Sequence, residues 1–393
     1  MLAPTPASPE SAGMSKAGLD RVDAHLKHRY IDAGRFPGSQ LLVYRRGKVV
    51  HSAVQGFADL ERKTPVRDDT IFRIYSMTKP LVSLAALMLA EEGRLQLTDP
   101  VADFLPEFGS QQVAVEEGAG VRLVPVCRPA TVHDLLRHTA GLTYEFLGDS
   151  AVQRQYRDAR LADRSRSNAE FCKVLAALPL AHHPGTCWEY SRATDVLGAV
   201  LEVVTGQPLG ALLRERLFEP LGMKDTGFSV PEGQWHRIAQ PLERDPDTGE
   251  AVGLLDARTA PAFESGGGGL VSTAEDYVRF LRLLRNQGRF EGARLVSRKT
   301  IEWMTADHLG SIPVRHDLLP PGHGFGLGVA VRTAVGLAAQ PGSAGQYFWS
   351  GISGTYFLAD PTEDLFALLL LQAPNQRIHY RNLFRHLVYA AVD

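Results

Sequence analysis

The run Leu81-Val82-Ser83-Leu84-Ala85-Ala86-Leu87-Met88-Leu89-Ala90 offers water no polar face. A helix that is hydrophobic all round is buried between layers, so the fold has to close over this segment from more than one side. With 393 residues, 44% of them hydrophobic, the chain can bury a large core, as one big domain or two interleaved ones. This run and Leu365–Leu371 are both too short to span a bilayer.

The sequence Ser76-Met77-Thr78-Lys79 stands at the mouth of this helix, where the β-prone stretch Thr70–Tyr75 ends. A serine there has its Oγ near unpaired backbone N–H groups, and a lysine three residues on lies on the same helix face. Pro80 is compatible with a first helical turn. Two readings stay open locally. In one, Lys79 is buried beside the hydroxyl and its pKa is tuned by desolvation or a nearby base. In the other, Lys79 snorkels to the surface while Ser76 caps the helix.

The ends of the chain read as strands and helices. Ser15 can cap a helix to about Ala33, with Leu19, Val22, Leu26 and Tyr30 at helical spacing. Gln40–Tyr44 and Val49–Val54 flank the turn Arg45-Arg46-Gly47-Lys48; Thr355–Ala359 and Leu365–Leu371 flank Asp360-Pro361-Thr362-Glu363; a last helix runs from about Ile378 to Ala391. The pattern predicts one antiparallel sheet assembled from both termini, with the terminal helices packed on it.

Between them the spacing predicts helices near Met77–Glu92, Val132–His138, Ala169–Leu178, Ala193–Thr205, Leu209–Phe218 and Ala274–Asn286. Thr131 opens the second, and Ser272 with Glu275 forms a capping box for the last. The expected organisation is an α+β chain: residues 1–80 and 262–393 form an α/β domain, and 81–261 a mostly helical insertion.

Charge and cysteines exclude several roles. Lys plus Arg number 42 against 44 Asp plus Glu, so nothing favours nucleic acid or an anionic membrane. Three widely spaced cysteines, Cys127, Cys172 and Cys187, fit reduced thiols in a cytoplasm. The start, Met1 to Met14, lacks the basic flank and apolar run of a signal peptide or anchor. No P-loop or G-x-G-x-x-G occurs, and no cofactor is expected.

Taken in order, the motifs resemble a known family. Phe72-Arg73-Ile74-Tyr75-Ser76-Met77-Thr78-Lys79-Pro80, Leu135-Leu136-Arg137-His138-Thr139-Ala140-Gly141-Leu142, and Pro184-Gly185-Thr186 ahead of Tyr190-Ser191 resemble the family VIII carboxylesterases and their relatives, the class C β-lactamases. Gly267-Gly268-Gly269-Leu270-Val271-Ser272-Thr273 and Trp349-Ser350-Gly351 continue the likeness, from about Pro9 to Ala391. The resemblance implies a β-lactamase-like fold with Ser76 as nucleophile, Lys79 beside it and Tyr190 as general base. It also implies an oxyanion hole made by the backbone N–H groups of Ser76 and Ile352. Lys79⁺ next to Tyr190 is expected to favour the phenolate and lower its pKa. Trp349, Ser350, Gly351 and Tyr144 are the expected substrate pocket, with Phe146 and Trp235 as further loop aromatics.

The pattern departs from the β-lactamases in two places. Trp349 replaces the lysine of K-T-G, which those enzymes need for a substrate carboxylate; a flat apolar wall suits an uncharged ester. Tyr190-Ser191-Arg192 has arginine where the family often has asparagine, and Arg192 is either a replacement cation or a solvent-facing helix start. The chain holds no G-x-S-x-G. His133 and His138 lie off one helix face, and His138 reads as a helix end. His182, His183 and Cys187 have no second ligand pair for a metal. The expected function is therefore a serine carboxylesterase for short to medium acyl esters. An acyltransferase, an amidase, a weak β-lactamase or an inert scaffold are the alternatives, and the expected partner is a small-molecule ester, with oligomeric state open.

Overall fold

The computed structural model describes residues 7–117, 120–315 and 317–393. Residues 1–6, the first part of the Pro-, Ser- and Ala-rich start, lie outside the described residues.

An eight-stranded antiparallel sheet is built from both ends of the chain. The N-terminal part supplies β1 (Gly38–Arg45), β2 (Lys48–Asp59) and β3 (Thr64–Pro65); the C-terminal part supplies β4 (His323–Phe325), β5 (Ala330–Arg332), β6 (Tyr347–Ser350), β7 (Tyr356–Asp360) and β8 (Leu365–Leu371). Their order is β4-β5-β6-β7-β8-β1-β2-β3. The join is β1 against β8, with Ser39 opposite Leu371 and Arg45 opposite Leu365. The β1–β2 turn has Arg46 and Gly47 at φ 49° and 84°, the left-handed pair that a two-residue hairpin of native twist requires.

Successive strand residues face opposite sides, and β8 uses both. Leu365, Ala367, Leu369 and Leu371 pack with Leu19, Val22, Leu26, Tyr380, Phe384 and Val388 from the terminal helices α1 (Lys16–Leu26) and α6 (Arg377–Tyr389). Phe366, Leu368 and Leu370 face the larger helical core. This double burial explains why β8 is a continuous apolar run. Ser15 caps α1, accepting from Gly18 N–H at 3.1 Å.

The apolar run is central in α2 (Thr78–Glu91), where Thr78 to Leu89 are all buried. Helices α3 (Val132–Leu136), α4 (Ala193–Thr205) and α5 (Ala274–Arg285) lie in the same helical half. Thr131 and Asp134 form the cap of α3. The cap of α5 corrects the sequence expectation by one residue: Thr273 accepts from Asp276 N–H at 3.3 Å, while the Ser272 hydroxyl faces Thr226 at 2.8 Å. Ser272 is held in the short strand Val271–Ser272 paired with Phe72–Arg73, so it is extended and cannot cap. Only Phe72–Arg73 of the β-prone Thr70–Tyr75 stretch pairs as a strand. The helix Ala151–Asp158 and the hairpin Gln112–Glu117/Gly120–Pro125 were not foreseen. No single helix among the described residues is long and apolar enough to cross a membrane.

Candidate active site

Ser76 lies in a 3-10 turn, Tyr75–Met77, that feeds α2. The residue before it, Tyr75, has φ 44°, a left-handed conformation that a bulky side chain adopts only when its surroundings force it. Those surroundings are visible. The Tyr75 hydroxyl accepts from Leu255 N–H at 2.7 Å, and the buried Arg73 guanidinium donates to Leu255 O at 2.6 Å and Ala239 O at 2.7 Å. On the other side, Ile74 N–H donates to Leu270 O at 3.0 Å and Leu270 N–H to Thr78 Oγ1 at 3.2 Å. The turn is thereby clamped between residues 239–255 and the glycine run 266–269.

Lys79 is fully buried, which removes the snorkelling alternative, and Ser76 makes no helix-capping bond. Its Nζ donates to Ser76 Oγ at 3.3 Å, Tyr144 Oη at 3.0 Å and Gly267 O at 2.6 Å. Burial drives its pKa down to about 7, with the nearby Asp195 carboxylate opposing and the Arg192 guanidinium reinforcing the shift. Asp195 is fixed in turn by Ser265 Oγ at 2.5 Å and Gly267 N–H at 2.9 Å. Gly267 is required there, since a Cβ would stand 2.9 Å from both the Asp195 carboxylate and the Tyr144 hydroxyl.

Tyr190 Oη accepts from Trp349 Nε1 at 3.3 Å. Lys79 Nζ stands 4.4 Å from its ring centroid. Its pKa moves opposite to the sequence expectation. Burial raises it above the ordinary phenol value, and the neighbouring Ser76 hydroxyl and Trp349 indole offset only part of that. The nearby Asp195 carboxylate pushes it the same way as burial does.

The rings form a continuous wall. Phe146 stacks on Tyr144 at 4.7 Å, Tyr144 meets Tyr190 at 5.2 Å, and Tyr190 meets Trp349 at 5.2 Å. Phe146 is 55% exposed at one end. Trp235 is elsewhere: its indole donates to Val230 O at 2.9 Å, and it packs beside a small core of Ile71, Val230, Ile238, Ala257 and Val271. Ser350 ends β6, and Gly351 passes so close to Ile74 that a Cβ would overlap the Ile74 carbonyl. Neither Ser76 nor Ile352 commits its backbone N–H to a partner outside its own turn among the described residues.

Arg192 is buried rather than solvent-facing. It pairs with Glu145, at 3.2 Å through Nε, and with Asp195 at 3.3 Å, and its guanidinium lies 4.9 Å from the Tyr144 ring centroid. Two carboxylates already claim this cation. His138 does follow α3, at φ 58°, yet its buried ring also packs 4.9 Å from Tyr190, with Nδ1 3.1 Å from Ser191 Oγ. His182 bonds Glu189, and His183 Nδ1 accepts from Cys127 N–H at 3.2 Å. Sequence reasoning missed Asp195, Glu145 and Arg73, which bond residues remote in the chain: Ser265 and Gly267 for Asp195, Arg192 for Glu145, and Ala239 and Leu255 for Arg73.

The Beta-lactamase family profile matches residues 20–390. The chain belongs to the beta-lactamase family. Within and around this family, Protein Rv1367c of Mycobacterium tuberculosis is 37% identical over 366 residues, covering 90% of each chain. Esterase EstB of Burkholderia gladioli is 35% identical over 394 residues, covering 94% of this chain and 93% of its own. Among solved structures, EstCE1, described as a hydrolase with promiscuous acyltransferase activity, superposes with a TM-score of 0.79 at 30% identity, over 95% of this chain and 99% of its own. The protein is a serine hydrolase of the family VIII esterase type within the beta-lactamase family.

Proposed function

We propose that the protein is a carboxylesterase acting on uncharged esters of short to medium acyl chains through an acyl-enzyme on Ser76. The observation that carries this is the placement of Lys79, buried, with a pKa of about 7 and 3.3 Å from Ser76 Oγ. A base whose pKa lies near the working pH is the efficient one. Neutral Lys79 takes the Ser76 proton as Oγ attacks the ester carbonyl. The backbone N–H groups of Ser76 and Ile352 receive the oxyanion. As the C–O bond breaks, Tyr190 gives its proton to the departing alkoxide. A raised pKa still suits it to so basic a leaving group, and the resulting phenolate is held by Trp349 Nε1–H and Lys79⁺. Water then enters, losing its proton to the Tyr190 phenolate, and Ser76 Oγ recovers its own from Lys79. Both groups return to their starting states.

The aromatic wall of Phe146, Tyr144, Tyr190 and Trp349 supports an apolar, uncharged substrate. Trp349 occupies the place of a carboxylate-binding lysine and Arg192 is already ion-paired, which argues against efficient β-lactam turnover. EstCE1's described acyltransferase activity favours one second reading, transfer of the acyl group to an alcohol in place of water. Three free thiols support a reducing, cytoplasmic setting.

The test is labelling with a fluorophosphonate, with and without Ser76→Ala, followed by product analysis of p-nitrophenyl butyrate turnover in water and in added butanol. Labelling that vanishes in the variant, with butyrate as the main product, supports the esterase. Butyl butyrate as the main product selects the transferase, and labelling that survives the substitution rejects Ser76.

A further inference from the structure

The turn Gly351–Thr355 is bound from two sides. Facing Ser76, Ser353 Oγ donates to Arg73 O at 2.8 Å and Thr355 Oγ1 to Ile74 O at 3.3 Å. These two hydroxyls tie the turn to the backbone immediately before the Ser76 turn. From the opposite side comes α6: Tyr380 Oη donates to Gly354 O at 3.1 Å, and the Arg381 guanidinium donates to Gly351 O and, at 3.3 Å, to Thr355 O. Within the turn, Gly351 N–H donates to Thr355 O at 2.8 Å and Gly354 N–H to Gly351 O at 3.0 Å. The Arg381 guanidinium thus grips both carbonyls that define the turn, and Ile352 lies between them.

The titratable groups around the half-buried Arg381 are three phenols and another arginine, Tyr380, Tyr356, Tyr190 and Arg377, none of them a carboxylate, so its guanidinium bonds go to backbone carbonyls. One turn further along α6, Arg385 shows what a purely structural clamp looks like. It bonds Gln346 and Pro341 O, the latter at 3.1 Å, and lies over Phe348. Arg385 therefore holds the approach to β6, while Arg381 holds the turn that follows its end.

We propose that Arg381 is a positioning residue for ester cleavage: by holding the Gly351 and Thr355 carbonyls it aims the Ile352 N–H at the oxyanion. The C-terminal helix is in this way part of the catalytic apparatus. This rests on the reading of Ser76 and Ile352 given above. Preorganised donors act only if they are aimed at the developing charge, so a loosened turn harms the transition state and spares substrate binding.

The experiment measures kcat and KM for p-nitrophenyl butyrate, inhibition by butylboronic acid, which forms a tetrahedral adduct on a serine oxygen, and thermal midpoint. It is run on the wild type, Arg381→Ala, Arg381→Lys and Arg385→Leu. Arg381→Ala is expected to lower kcat by about 10- to 100-fold with KM changed by less than about threefold. Boronate affinity should fall in parallel, and Arg381→Lys, or guanidinium added to the alanine variant, should recover part of both. Arg385→Leu should lower the thermal midpoint while leaving kcat and boronate affinity in place. Wild-type kcat in Arg381→Ala, or a slow Arg381→Ala that binds boronate as tightly as the wild type, overturns the inference while Ser76 and its oxyanion hole stand. A wild type that boronate does not inhibit sinks the underlying reading instead, and this inference with it.

Discussion

Trp349 Nε1 donates to Tyr190 Oη at 3.3 Å, so the residue standing where β-lactamases keep a lysine is bonded to the proton carrier itself. Trp349 is thereby more than an apolar wall. In the proposed mechanism it stabilises the phenolate left when Tyr190 protonates the leaving group.

Trp349→Phe keeps the wall and removes that donor. A hydrogen bond to a charged group contributes about 1.5–3 kcal/mol, so kcat should fall by about tenfold or more with KM nearly unchanged. Steady-state kinetics on p-nitrophenyl butyrate check this. A change confined to KM would show that Trp349 serves only substrate packing.

In the proposed mechanism Lys79 gives the reaction its acid limb. Only the neutral amine accepts the Ser76 proton, so activity falls as pH drops through its pKa, and kcat/KM should show an apparent pKa of about 7. Asp195 is the carboxylate that favours the charged lysine; Asp195→Asn should therefore move the limb to lower pH. A pH profile of both proteins is the check, and a limb that moves upward would contradict the arrangement.

Much of this was legible in the sequence because it is local. The two hairpins, the terminal helices and α2 follow from periodicity and turn residues close together in the chain. The clustering of Ser76, Lys79 and Tyr190 came only from the order of several motifs, since no periodicity joins residue 79 to residue 190. What the sequence hid was long-range. The sequence leaves Arg192 open between a replacement cation and a solvent-facing helix start because its partners, Glu145 on a loop and Asp195 one helical turn on, become a buried network only when α4 packs beside α2. Ser272 looked like a cap because its pairing with Phe72 lies 200 residues away in the chain. The pKa of Tyr190 was misread because charge can be inferred from neighbours in sequence, whereas desolvation cannot.

Asp134 ties α3 to the chain on either side of it. Its buried carboxylate accepts from Arg128 at 2.5 and 2.9 Å, Arg137 at 3.2 Å, Thr139 Oγ1 at 2.7 Å and Thr131 N–H at 3.0 Å. These bonds outweigh burial and hold its pKa at about 2, below the ordinary 3.8. Asp134→Ala should cost about 3 kcal/mol or more, read by urea denaturation at neutral pH. The folded pKa is depressed, so this contribution is complete above the ordinary value and is lost as pH falls toward 2. The gap between wild type and variant should accordingly narrow across that window, and a gap that stays constant would contradict the ionised network.

The central claim, an acyl-enzyme on Ser76 that cleaves uncharged esters, is tested most directly by hydrolysis of p-nitrophenyl acetate, butyrate and octanoate, with nitrocefin alongside, by the wild type and Ser76→Ala. The account predicts that the wild type turns over the esters, barely touches nitrocefin, and loses ester activity by at least about a thousandfold on removal of the Ser76 hydroxyl. Ester hydrolysis that persists in Ser76→Ala, or nitrocefin cleaved faster than every ester, would contradict it.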